Sequence, residues 1–151
     1  MNVFYEFHKI AKQLQAREVE YAVIGGVAVA IHARPRFTKD IDILVKESGL
    51  EAMTDILEGE GYRKAAPSWT FKDTKLTLHR FIKTESEDEM LIDVLVAGSA
   101  EHEAMVDQAD TAESESLGRM RVARCEDLIR LKRARNSKMD QADIEALEEA
   151  I

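Results

Sequence analysis

The chain has 151 residues, 45% of them hydrophobic and 33% charged, which excludes wholesale disorder and suits one soluble domain with its own core. A single cysteine, Cys125, excludes an intrachain disulfide and a cysteine-built zinc site. No apolar run reaches the roughly 18–20 residues of a membrane span. Met1 to Leu14 is amphipathic and carries Glu6, unlike a signal peptide, so a cytoplasmic protein is expected. The net charge of −8 argues against general nucleic-acid binding. It arises in the second half, yet Arg119 to Lys138 is locally basic and could meet a phosphate-bearing partner.

Val3, Phe4, Phe7, Ile10, Ala11 and Leu14 recur at helical spacing and predict a helix over 3–17. Glu20 to Ile24 predicts a short apolar strand, ended by Gly25-Gly26, and Val27 to Ala33 a buried helix ended by Arg34-Pro35-Arg36. Asp40 to Val45 reads as a strand. Ser48-Gly49-Leu50-Glu51 has capping-box spacing ahead of a helix to about Glu60, with Leu50, Met53 and Leu57 inward. Tyr62–Ala65, Trp69–Lys72 and Leu76–Lys83 are short strand candidates, and 85–89 is an acidic turn. Met90 to Val96 is the strongest strand. Ala100–Ala109, Arg124–Ala134 and Met139–Ala150 predict helices, and Met120–Ala123 a strand. The order implies a single α+β domain over 1–151, with a core at about 19–97 and a helical part at about 100–151.

Two places carry chemistry. In a strand, Asp40 and Asp42 share one face, while Ile41, Ile43 and Val45 share the other. Two carboxylates on one face repel unless a cation lies between them, and hard cations such as Mg²⁺ take oxygen ligands. Asp93 is the single acid of the late apolar strand, and burying it without a partner is costly. If the two strands are neighbours, the three acids meet and could hold two metal ions. Gly25-Gly26 lies between a strand and a helix, where bare backbone N–H groups can approach a phosphate. Arg36, Thr38 and Lys39 lie just before the acids and could reach the same phosphates.

This constellation, Ile24-Gly25-Gly26, then Asp40-Ile41-Asp42, then Asp93, resembles the nucleotidyltransferase superfamily with the DNA-polymerase-β-like fold. The text from Tyr21 to Ala28, with Arg36-x-Thr38-Lys39-Asp40-Ile41-Asp42, is similar to its AbiEii-type branch, which includes toxin–antitoxin enzymes. Glu126-Asp127-Leu128-Ile129-x-x-Lys132 and Asp140-x-x-Asp143 resemble the C-terminal helices of that branch. Full AbiEii-type toxins carry a large further C-terminal part that this sequence lacks.

The resemblance implies a mixed sheet flanked by helices, with C-terminal helices. It implies Asp40 and Asp42 as Mg²⁺ ligands, and Asp93 as the third ligand and the general base for an acceptor hydroxyl. It also implies Gly25 and Gly26 as the triphosphate cradle. Lys132 could neutralise phosphate charge if its helix packs near the site; a solvated helix lysine is the alternative. The expected activity is transfer of a nucleotide from an NTP to a hydroxyl on RNA such as tRNA, on protein or on a small molecule. A toxin–antitoxin partner or a homodimer is a further expectation. The rival is a catalytically silent partner or antitoxin module on the same scaffold, motivated by small size and acidity.

Other residues receive plainer readings. His8 is expected exposed, His32 a helix cap, His102 a surface residue and Cys125 inert. His79 could line the cleft. Tyr62 and Trp69 are expected to pack rather than stack on a base.

Overall fold

The computed structural model describes residues 1–33, 40–115, 118–135 and 137–151. Helix α1 (Val3–Ala16) starts where the Asn2 side chain accepts from the amides of Phe4 and Tyr5, and buries Phe7, Ile10, Ala11 and Leu14. Strand β1 (Tyr21–Ile24) runs directly into α2 (Gly25–His32), so the two glycines are the first turn of the helix rather than a separate turn. Strand β2 (Asp40–Val45) follows. Helix α3 (Leu50–Gly59) is entered through a 3₁₀ turn at Glu47–Gly49 and has no side-chain cap. The predicted capping box at Ser48 therefore does not form, because Gly49 takes the cap position.

Strands β3 (Arg63–Lys64) and β4 (Trp69–Thr70) are short, and β5 (Thr77–Glu85) and β6 (Asp88–Val96) are long. Each long strand extends into the predicted acidic turn and leaves only Ser86-Glu87 between them. Helix α4 (Ala100–Asp107) is capped by Ser99. Strands β7 (Asp110–Ser114) and β8 (Gly118–Val122) precede α5 (Cys125–Arg135) and α6 (Lys138–Ala150). A capping box between Ser137 and Asp140 starts α6. No prediction covered β7, whose polar run Asp110-Thr-Ala-Glu-Ser carries little strand signal. It is held as a hairpin on β8.

The eight strands among the described residues form one mixed sheet, in the order β3-β5-β6-β2-β1-β8-β7 with β4 also on β5. β2 is parallel to β6 and antiparallel to β1, and β8 is parallel to β1. Ile41, Ile43 and Val45 pair with Ile92, Val94 and Val96, so one face is apolar across these two strands. All six of these side chains are buried. The opposite face carries the acids. Helix α2 packs on β2 and against α5 and α6, while α1 packs on α3.

His102 is buried beneath its Ser99 cap, contrary to the surface expectation. His8 is partly buried, and His32 bonds the Ala123 carbonyl at 2.8 Å. His79 pairs with Val94 on the apolar face, turned away from the acids. Among the described residues, no helix is long and apolar enough to cross a membrane.

Ile92 is fully buried at the centre of the apolar face. Ile92→Ala is expected to lower stability by about 2–5 kcal/mol, read as a fall in the urea midpoint at unchanged slope.

Candidate active site

The parallel register of β2 and β6 sets Asp42 directly beside Asp93. Asp40, two residues earlier, shares the Asp42 face and pairs with Leu91. On the other flank Ile24 of β1 pairs with Asp42, which brings the next residue, Gly25, against the carboxylate. Gly25 has φ +69°, and a Cβ built there would sit 2.1 Å from Asp42 Oδ2. Only glycine fits that approach with that backbone. The α2 N-terminus has no side-chain cap, so its first amides remain available to an acceptor.

Arg80 of β5 stands opposite Asp93. Its Nε and Nη2 donate to the two carboxylate oxygens at 2.8 and 2.9 Å, a bidentate pair. Among the described residues, Asp42 has no such clamp. Burial first, and then the charges of Asp93 and Asp40, push its carboxyl up to about 7, against the pull of Arg135 and Lys132. Those two cations come from α5. Lys132 is buried and donates to Asp143 at 3.1 Å, with Asp140 at 3.8 Å. Arg135 donates twice to Asp140, at 2.8 and 2.5 Å. The predicted helix lysine is thus not a solvated one.

These groups line a cavity of about 550 Å³ between the sheet and α5. Ile24, Gly25, Asp42, Asp93, Lys132 and Arg135 are among its walls. Arg36, Thr38 and Lys39 lie outside the described residues. Gly26 follows Gly25 in the first turn of α2. Trp69 is exposed on the cavity wall rather than packed, a correction to its predicted role, whereas Tyr62 is buried.

Two functional candidates escaped sequence reading. Arg80 had a signal: a two-residue hairpin turn at Ser86-Glu87 pairs Lys83 with Met90 and therefore Arg80 with Asp93. Reading 85–89 as one long turn hides that register. Arg135 had none beyond lying three residues after Lys132.

Neighbouring carboxylates, one of them pushed towards protonation by burial and by the other's charge, are the donor chemistry a hard cation requires. The described residues contain no group of three acidic, histidine or cysteine side chains already closed into a ligand set. Arg80 holds both oxygens of Asp93 instead.

A family model described as "Uncharacterised nucleotidyltransferase" matches residues 1–144. The chain belongs to this nucleotidyltransferase family. Its fold is also that of solved nucleotidyltransferases. ANT(2″)-Ia in complex with adenylyl-2″-tobramycin superposes with a TM-score of 0.62 at 18% identity, covering 95% of this chain and 86% of that one. Lincosamide antibiotic adenylyltransferase LnuA, lincomycin-bound, gives 0.59 at 15%, covering 97% of each chain. A provisionally assigned nucleotidyltransferase of Thermotoga maritima gives 0.60 at 16%, covering 96% and 89%. No protein of curated function matches by sequence. The likeness to the AbiEii-type branch rests on the residues quoted above alone.

The raised carboxyl of Asp42 makes this nucleotidyltransferase's metal-free stability depend on pH. A group whose folded value exceeds its unfolded one stabilises below the unfolded value, near 4, and loses that contribution as pH rises through the folded value near 7. In EDTA, Asp42→Asn is therefore expected to melt higher than wild type at pH 8. The difference should vanish towards pH 4. Thermal melts across that range check it.

Proposed function

We propose that the protein transfers a nucleotide from an NTP to a hydroxyl of a small molecule, with Asp42 and Asp93 at the reacting centre. The observation that carries this reading is their direct pairing beside the uncapped α2 N-terminus and Gly25. A helix N-terminus with a bare backbone suits a polyphosphate. The solved structures of similar fold hold adenylyl-2″-tobramycin and lincomycin, which supports a small-molecule acceptor over RNA, tRNA or protein.

The roles follow from position. The amides of Gly25 and Gly26 hold the phosphates, and Arg36, Thr38 and Lys39 remain candidates for the same work. Lys132 and Arg135 supply positive charge from the facing wall, each anchored by an aspartate of α6. Asp93 takes the proton of the acceptor hydroxyl. The hydroxyl oxygen then bonds to the α-phosphorus, the bond to the bridging oxygen breaks in line, and pyrophosphate leaves. Asp40, Asp42 and Asp93 would hold Mg²⁺, two ions by family resemblance, and bound Mg²⁺ would offset the charge of the reacting phosphates. Arg80 fixes the orientation of Asp93 while no substrate is present. We read the protein as cytoplasmic, on its lone cysteine. A toxin–antitoxin partner or a homodimer goes with this reading; the rival is a catalytically silent partner or antitoxin module, which would not bind NTP.

The test uses each labelled NTP with Mg²⁺ and a panel of hydroxylated small molecules, total RNA and lysate protein. Label is expected on a small molecule, and Asp42→Ala or Asp93→Ala should cut transfer at least about 10³-fold while circular dichroism is unchanged. Full activity in either variant refutes the assignment, and label appearing only on RNA or protein refutes the acceptor class.

A further inference from the structure

The acid-bearing face of the sheet continues past the acids into an apolar strip. Two residues beyond the row Asp42, Asp93, Arg80 lies the row Leu44, Leu95, Leu78, Trp69, paired across β2, β6, β5 and β4. Same-face neighbours alternate along each strand, so both rows face the same way. Leu95, Leu78 and Trp69 line the cavity with Asp93, and so does Phe71 just beyond β4. Strand spacings put the Trp69 backbone roughly 12 Å from that of Asp93.

The strip is built rather than incidental. Trp69 is 64% exposed and Phe71 39%, so the aromatics are not spent on the core. β4 is pinned to β5 by its ladder and by the Thr70–Thr77 hydroxyl pair at 2.9 Å. The turn beyond it closes through Lys75 N to Phe71 O at 2.8 Å and Phe71 N to Leu76 O at 2.9 Å. The Lys75 carbonyl then lies against Gly98, where a Cβ would sit 1.8 Å from it. The aromatic pair is therefore presented by a held loop.

Position and charge choose the occupant. Gly25 lies on the β1 flank of the acid row, and the strip lies on the opposite, β5 flank, next to Asp93. The cavity's described lining carries four cationic side chains, Lys72, Arg80, Lys132 and Arg135, against three acids, Asp42, Asp73 and Asp93. That balance does not attract a polycation. The geometry points to Trp69 as the specificity-determining platform for an uncharged acceptor that joins a hydroxyl to a flat apolar ring, the hydroxyl at Asp93 and the ring stacked on the indole. This rests on the nucleotidyl-transfer reading above and narrows its acceptor.

Trp69 is the sole tryptophan, so its emission reports the platform directly. The full chain, with ATP and Mg²⁺, is titrated with phenyl β-D-glucopyranoside and with methyl β-D-glucopyranoside, which differ only in the ring. The phenyl compound is expected to shift Trp69 emission saturably and to bind about tenfold more tightly than the methyl one. By calorimetry, Trp69→Ala should erase that preference and Trp69→Phe should keep most of it, both with unchanged ATP affinity. Equal binding of the two glucosides to wild type overturns the proposal. So does an unchanged preference in Trp69→Ala, or a loss of ATP affinity there, which would make the platform a nucleobase site. A wild-type chain that binds none of the four NTPs overturns the transferase reading and the acceptor role with it, an outcome told apart by the NTP titrations alone.

Discussion

Two carboxylates paired across parallel strands set the terms for everything around them. β2 and β6 are central strands whose other face is a continuous row of buried isoleucine and valine, so neither strand can slip by one residue without exchanging its core face for its acid face. The apolar register therefore forces Asp42 against Asp93. Burial first, and then the repulsion that follows, push the carboxyl of Asp42 upward. That repulsion is met by Arg80 on one side and by Lys132 and Arg135 on the other.

Buried carboxylates on α1 and α6 are settled internally. Glu6 on α1 accepts from Tyr62 at 2.7 Å and Lys83 at 3.1 Å and pairs with Lys9 at 2.9 Å. Burial pushes its carboxyl up, but these partners outweigh burial and leave it lowered. Asp140 is treated alike by Arg135 and by the Ser137 backbone and hydroxyl, which together overcome its burial. The acid row is different, because Arg80 satisfies one member and leaves Asp42 with an unfavourable charge.

The C-terminal helix pair supplies the facing wall by a similar economy of charge. Asp140 and Asp143 on α6 are buried and hold Arg135 and Lys132 of α5. A lysine alone on α5 would extend into water. Tied to α6, it becomes a fixed part of the cavity, and the helix pair becomes part of the site rather than an appendage.

Period-two and helical patterning fixed most elements from the chain alone, because the apolar faces of α1, β2 and β6 are strongly alternating or periodic. The glycine pair, the acid-x-acid strand and the lone acid of β6 were legible for the same reason: each is a polar or bare position inside an apolar pattern, and such exceptions cost free energy unless used. Polar β7 escaped notice because its partner β8, not its composition, makes it a strand. Trp69 was misjudged because an aromatic residue's burial depends on what covers it, which local sequence does not state. What only the tertiary structure decided is which exceptions meet. Arg80 facing Asp93, and Arg135 and Lys132 facing Asp42, are consequences of strand register and helix docking, and those are set by long-range apolar packing rather than by any neighbour in the chain.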